Sequence, residues 1–270
     1  MAVQRIIRVA INGYGVIGKR VAEAVAVQQD MALAGVADIA TDWRPRAALH
    51  KGYALYGATS EHAASMRAAG LDVSGTLDDL LEAADIVVDC TPKHQASKNI
   101  ETYRRLGIKY IVHGGEKHES TGHSFVAEAS YASAVGRDCT RVVSCNTTSI
   151  IRTLSALKRH GLLDRARGTL LRRATDPWES HLGGIMNTLV PEPTIPSHQG
   201  PDARHVDPEL DVVTIAIKVP ETLAHLHSWY VELNRPATKE EVLDAFAASP
   251  RILLIDGDSG LSALNSVKEA

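Results

Sequence analysis

The stretch IIRVAINGYGVIGKRVAEAV (residues 6–25) decides the fold of this chain. Its first six residues, IIRVAI (6–11), form a short apolar run rich in β-branched side chains. Glycines follow at 13, 15 and 18 in the spacing G-x-G-x-x-G. VIGKRVAEAVAVQ (16–28) then shows helical spacing through Val21, Ala24 and Val25. A strand, a glycine-rich turn and a helix at the start of a βαβ unit form the context in which this spacing binds a dinucleotide. The glycines permit a tight turn and let a pyrophosphate approach the helix N-terminus, where N–H groups and the dipole favour an anion. Gly13, Gly15 and Gly18 are therefore candidate cofactor-binding residues, with a compact ligand-free turn as the plainer alternative.

The pattern continues outward from this stretch. MALAGVAD (31–38) reads as the second strand and ends in Asp38, where a carboxylate can accept hydrogen bonds from the adenosine ribose hydroxyls. A negative charge there repels a 2′-phosphate, so NAD is expected over NADP. An ordinary strand-end turn residue is the alternative. DIVVDC (85–90) and KYIVHG (109–114) read as further buried strands, each after a helical stretch, and RVVS (141–144) closes the series. Alternation at these lengths predicts parallel strands with helical crossovers, a Rossmann-type doubly wound sheet over residues 1–143.

Residues 144–270 read differently. SIIRTLSALKRH (149–160) carries a helical stripe at 150, 151, 154 and 157, and TKEEVLDAFAAS (238–249) opens with a capping box from Thr238 to Glu241. DVVTIAIKVP (211–220) places Val213, Ile215, Ile217 and Val219 on one face, and HSWYVEL (227–233) does the same for His227, Trp229, Val231 and Leu233. Period-2 alternation predicts a mixed or antiparallel sheet covered on one side. PEPTIPSHQGPD (191–202) reads as a loop. The second domain is thus α+β.

Composition narrows the function. The chain has 270 residues and a formal charge of −3, so no basic field invites nucleic acid or a membrane surface. No stretch approaches the roughly 18 apolar residues of a membrane helix, and the N-terminus is unlike a signal peptide. Three cysteines without a C-x-x-C pair suggest reduced thiols in a cytoplasm, with no zinc site and no disulfide framework.

RVVSCNTT (141–148) places Cys145 between a strand and a helix that is expected to start near Thr147. A thiol facing a helix N-terminus is biased towards thiolate, and Asn146, Thr147 and Thr148 add short donors. A covalent nucleophile beside an oxyanion pocket is one reading. A buried packing cysteine is the other, and it suits Cys90 and Cys139. A nucleophile needs a proton-transfer partner, and His225 and His227 in ETLAHLHSWY project to one face if strand geometry already holds there. Of Arg172 and Arg173 in LLRRATDP, only one can face an anionic ligand. SHQG (197–200) offers His198, Gln199 and backbone N–H groups as a phosphate cradle, or forms a plain polar turn.

INGYGVIGKRVA, DIVVDCTP, GGEKH, RVVSCNTT, RRATDP, PSHQGPD and VPETLAHLH occur in this order and resemble the archaeal-type (class II) glyceraldehyde-3-phosphate dehydrogenases over essentially the whole chain. The resemblance implies a phosphorylating dehydrogenase that uses NAD or NADP, takes inorganic phosphate and a small-molecule substrate, and assembles as a homotetramer. It implies Cys145 as nucleophile and His225 as the group that removes the hydroxyl proton of the hemithioacetal. Ser144, Cys145 and Asn146 match the substrate-contacting triplet. Val16 and Ile17 match positions at the cofactor pyrophosphate, Gly115 lies near the nicotinamide, and Arg173 contacts the cofactor. Gln199 and Gly200 match a substrate-phosphate position. The sequence departs from the family at Asp38, where lysine or threonine is frequent, and at His198-Gln199, where His-His is frequent. It also stops early by family standards, within SGLSALNSVKEA (259–270), which reads as the beginning of a helix. A related thioacyl dehydrogenase of the aspartate-semialdehyde type and a non-catalytic nucleotide-binding chain are the alternative readings.

Overall fold

The computed structural model describes residues 5–113, 115–175 and 187–255; the segment SGLSALNSVKEA lies outside them. In chain order the elements are β1 (Ile7–Asn12), α1 (Val16–Ala26), β2 (Met31–Asp38), α2 (Trp43–His50), β3 (Leu55–Gly57), α3 (Ser60–Ala68), β4 (Gly75–Thr76), α4 (Leu77–Glu82), β5 (Ile86–Asp89), α5 (Ala96–Leu106), β6 (Lys109–Val112), β7 (Ser124–Phe125), α6 (Ala127–Ala134) and β8 (Cys139–Val142). Then follow α7 (Cys145–Arg159), β9 (Leu163–Arg173), β10 (Val190–Pro191), α8 (Gln199–Val206), β11 (Asp211–Val219), β12 (Leu226–Leu233) and α9 (Lys239–Ala247). They form two compact units, Met1–Phe125 with Ala132–Val143, and Ser144–Ala270 with Val126–Tyr131.

The first unit is built on an eight-stranded sheet in the order β4-β3-β2-β1-β5-β6-β8-β7, parallel throughout. The doubly wound fold read from the glycine stretch is present. Strand order reverses beside β1, and the carboxyl ends of β1 and β5 flank the crevice where such sheets take ligands. One hydrophobic cluster gathers Ile11, Tyr14, Ala22, Val36 and Met66, and another gathers Ala10, Leu80, Val87, Ile100 and Tyr103. The buried stripe of α1 is Gly18, Ala22 and Val25. Ala24, expected on that stripe, is exposed. The shift follows from Gly18, where a Cβ would lie 1.9 Å from the Gly13 carbonyl oxygen, so the helix is pressed against the turn on that side.

The second unit has a four-stranded mixed sheet in the order β10-β11-β9-β12, with β11 parallel to β9 and the outer pairs antiparallel. Helix α7 covers it with Ile150, Ile151, Leu154 and Leu157, the stripe read from the sequence. At about 1.5–3 kcal/mol for each fully buried large aliphatic side chain, these four anchor the helix. On β11 the covered face differs from the expected one. Val212, Thr214 and Ala216 are buried, and Ile215 is 39% exposed. Small residues allow α8 to lie close: Ala203 and Val206 of α8 are buried, and α8 packs on β11. Residues 191–202 are not loop throughout, since Gln199 already belongs to α8.

Candidate active site

In the first unit, the turn after β1 has the geometry its glycines promise. Gly13 has φ +92°, and a Cβ there would lie 2.9 Å from backbone atoms of Cys90 and Thr91. Gly15 forms the N-cap of α1, has nothing within 4 Å of a would-be Cβ, and leaves the helix without a side-chain cap. Val16 and Ile17 follow in the exposed first turn. Open space at an uncapped N-terminus fits a dinucleotide pyrophosphate. At Gly115, with φ +88°, a Cβ would lie 3.8 Å from the Lys93 side chain.

Asp38 does something the sequence did not show. Its Oδ2 accepts the Tyr14 N–H at 2.7 Å, and its Oδ1 accepts those of Ile39 at 2.7 Å and Ala40 at 2.9 Å. The carboxylate ties the glycine turn to the end of β2 while keeping its negative charge beside it. A second anchor escaped the sequence reading entirely. Buried Asp89 accepts from the Thr91 N–H and hydroxyl, from Asn99 and from the Tyr103 hydroxyl, and Tyr103 in turn accepts from Asn12. This network ties the carboxyl ends of β1 and β5 together. No local pattern marks it, because its members come from three separate segments.

In the second unit, Cys145 is the first residue of α7, two residues earlier than expected, and it is exposed. Ser144 caps the helix by accepting the Thr147 N–H at 3.1 Å. A cavity of about 380 Å³ is lined by Cys145, Asn146, Ser149, Thr153, His225, His227 and Trp229. Cys145, Ser149 and Thr153 recur every fourth residue and so share one face of α7. His225 and His227 approach from the start of β12. The Cys145 Sγ lies 3.5 Å from His225 Nε2. The Asn146 amide nitrogen lies 4.0 Å from that sulfur and 3.4 Å from His225 Nε2, and the Asn146 Oδ1 faces His227 Nε2 at 2.9 Å.

His225 is held from behind. The Arg173 backbone N–H donates to its Nδ1 at 3.1 Å. A neutral imidazole with Nδ1 as acceptor carries its proton on Nε2, here the nitrogen turned to the sulfur. Two donors, His225 Nε2–H and Asn146 Nδ2–H, thus converge beside Cys145, which suits an anion between them. In that tautomer the ring presents a donor to the sulfur, at the residue to which the resemblance gives removal of the hydroxyl proton. Arg173 reaches this cluster through its main chain, while Arg172 pairs with Glu192 at 3.4 Å.

Several expected ligand positions are turned elsewhere. Thr147 is fully buried and donates its hydroxyl to Asp202 at 2.8 Å, and the Ser144 hydroxyl is engaged with Thr147. Gln199 is fully buried with no partner for either amide atom among the described residues, and a Cβ on Gly200 would lie 3.1 Å from the Thr214 hydroxyl of β11. His198 is exposed but sits 2.8 Å from the Glu192 carboxylate, a poor neighbour for a phosphate. None of Thr147, His198, Gln199 and Gly200 lines the cavity. Residues 199 and 200 begin α8, so the stretch expected to form a loop cradle is helical from Gln199 onward. The other cysteines lie apart from this chemistry. Burial pushes the Cys90 thiol up to about 12, and Cys139 is half-buried with its sulfur 3.5 Å from the Thr121 carbonyl.

Two family models match the chain. Residues 144–262 match the family described as glyceraldehyde 3-phosphate dehydrogenase, C-terminal domain, and residues 7–147 match that described as dihydrodipicolinate reductase, N-terminus. The glyceraldehyde-3-phosphate dehydrogenase of Methanothermus fervidus is 44% identical over 97% of this chain and 77% of its own length. That of Pyrococcus furiosus is 46% identical over 95% of this chain and 76% of its own. Among solved structures, aspartate semialdehyde dehydrogenase II from Vibrio cholerae superposes with a TM-score of 0.62 at 13% identity, covering 91% of this chain and 80% of that one, which is a likeness of fold. With relatives at this identity along nearly its whole length, the chain belongs to the family of archaeal-type glyceraldehyde-3-phosphate dehydrogenases.

Proposed function

We propose that this chain oxidises D-glyceraldehyde 3-phosphate to 1,3-bisphosphoglycerate with a nicotinamide cofactor and inorganic phosphate. The observation that carries the reading is the exposed Cys145 thiol at the first turn of α7 with His225 Nε2 at 3.5 Å. The Cys145 thiolate attacks the aldehyde carbon, a C–S bond forms, and the carbonyl oxygen becomes an alkoxide. His225 Nε2–H and Asn146 Nδ2–H stabilise that charge by hydrogen bonding. A nicotinamide, when bound, would supply the acceptor for the hydride that must leave this carbon for the alkoxide to become a thioester on Cys145. Phosphate then attacks the thioester carbon, the C–S bond breaks, and the thiolate returns.

The turn at Gly13, Gly15 and Gly18 with the first turn of α1 would hold the cofactor pyrophosphate. NAD is preferred over NADP in this reading, supported by the Asp38 charge beside that turn. Assembly with like chains, as the tetramer that the resemblance implies, is supported by the outer face of the second sheet. Leu226 is 45% exposed there and Tyr230 is 71% exposed, alongside Ile215. Among the described residues no helix is long and apolar enough to cross a membrane, and the site proposed here is that of a cytoplasmic enzyme.

The test is NADH formation from glyceraldehyde 3-phosphate with and without phosphate, beside aspartate semialdehyde as a comparison substrate. Phosphate-dependent NADH from the phosphorylated aldehyde is the expected result. A preference for the amino-acid semialdehyde, or no NADH from either, refutes the proposal.

A further inference from the structure

We propose that His227 is a positioning residue, whose Nε2–H fixes the Asn146 amide so that Nδ2 donates to the anion that forms beside Cys145. This rests on the thiol chemistry proposed above and extends it to a residue outside the Cys145–His225 pair. The His227 Nε2 lies 2.9 Å from Asn146 Oδ1, and the same amide turns its nitrogen towards Cys145 Sγ at 4.0 Å and His225 Nε2 at 3.4 Å. An asparagine amide rotates freely between two orientations unless its oxygen is held. The opposite orientation would aim a carbonyl oxygen at the thiolate and at the alkoxide that follows it. One strong donor on Oδ1 removes that orientation.

His227 is itself held for this task. It stands on β12 opposite Leu170, and its ring meets Trp229 edge-on, with centroids 6.1 Å apart. Trp229 in turn lies over Gly168, where a Cβ would come within 2.3 Å of the indole. His227 Nδ1 is buried and has no partner among the described residues. An unpaired lone pair is tolerable there, whereas an unpaired N–H or a second proton would be costly. Burial lowers the His227 pKa below 6.5 in agreement. The proton therefore stays on Nε2, facing Asn146.

The test uses the full chain and four substitutions. His227→Leu is expected to lower kcat about 10²-fold, the loss typical of one oxyanion donor, with KM nearly unchanged. It should also slow alkylation of Cys145 by iodoacetamide at pH 7. His227→Gln, whose amide N–H can meet the same acceptor, should restore most of both. Asn146→Asp keeps the oxygen that His227 holds and removes the donor, so it should lose at least as much as His227→Leu without depending on how that variant folds. In an Asn146→Ala background, His227→Leu should cost nothing further. Additive losses in that background, or an Asn146→Asp enzyme with wild-type kcat and alkylation rate, overturn the proposal. Wild-type protein that does not turn over glyceraldehyde 3-phosphate refutes the reaction instead. The alkylation rates of the same variants then still decide whether His227 positions Asn146.

Discussion

Asp38→Asn tests the most consequential reinterpretation in the cofactor unit. The wild-type carboxylate accepts three backbone N–H groups, from Tyr14 on Oδ2 and from Ile39 and Ala40 on Oδ1. Asparagine keeps one oxygen. Its best placement retains the Ile39 and Ala40 bonds and turns an NH2 group against the Tyr14 N–H, 2.7 Å from the replaced atom. One charge-assisted hydrogen bond is lost, at about 1.5–3 kcal/mol. At about 2–4 °C per kcal/mol, Tm should fall by about 3–12 °C. Tyr14 lies between Gly13 and Gly15, so the turn loses its anchor and must be ordered by the cofactor. If all of that cost appears on binding, affinity weakens by about 10- to 100-fold, at 1.4 kcal/mol per tenfold. Thermal unfolding and titration of NADH fluorescence measure the two quantities. An unchanged Tm together with unchanged NADH affinity would show that the carboxylate does not tie the turn. Asp38→Lys loses the same anchor, so NAD should bind more weakly, and it replaces the charge that repels a 2′-phosphate, so the NADP/NAD preference should rise; an unchanged ratio would count against the role of the Asp38 charge.

Three further predictions concern chemistry, packing and pH. Cys145→Ser should abolish turnover while NADH binding persists; residual activity near wild type would remove Cys145 from the mechanism. Gly168→Ala places a Cβ 2.3 Å from Trp229, so overpacking should cost about 1–3 kcal/mol. Calorimetry should show a lower Tm, kcat should fall because Trp229 braces His227, and adding Trp229→Leu should recover part of the Tm; no loss in the single variant would contradict the seating of the indole. Burial lowers the pKa values of His113, His123 and His227 below 6.5. The unfolded chain takes up those protons at the ordinary value and the folded chain resists them, so stability is lost as pH falls below 6.5 and is flat above it. Tm measured across that range should show the bend, and a His123→Gln variant should soften it.

Much of this was legible locally. The strand, glycine turn and helix of residues 6–26 specify their own geometry, because the required φ values and close approaches belong to the glycines themselves. The stripe on α7 and the cap at Thr238 are equally local, and the Thr238 hydroxyl does accept the Glu241 N–H at 3.2 Å. The position of Cys145 at a strand-to-helix junction was also readable. On β11, the alternation gave the period, but the more apolar set is the less covered one. Which face is buried depends on whether α8 needs small residues beneath it, and the strand does not record that.

By itself, then, the sequence determined the doubly wound cofactor unit, the mixed sheet that follows, and the thiol at the start of α7, since each follows from short-range sterics and periodicity. Only the tertiary structure decided what the polar groups do. It assigned Asp38 to three backbone donors, turned Thr147, Gln199 and Gly200 inward, set the His225 proton through the Arg173 N–H, and linked His227 to Asn146. A hydrogen bond is made with whatever partner packing brings within about 3 Å. For His227 and Asn146 that partner lies 81 positions away, beyond the reach of any local pattern.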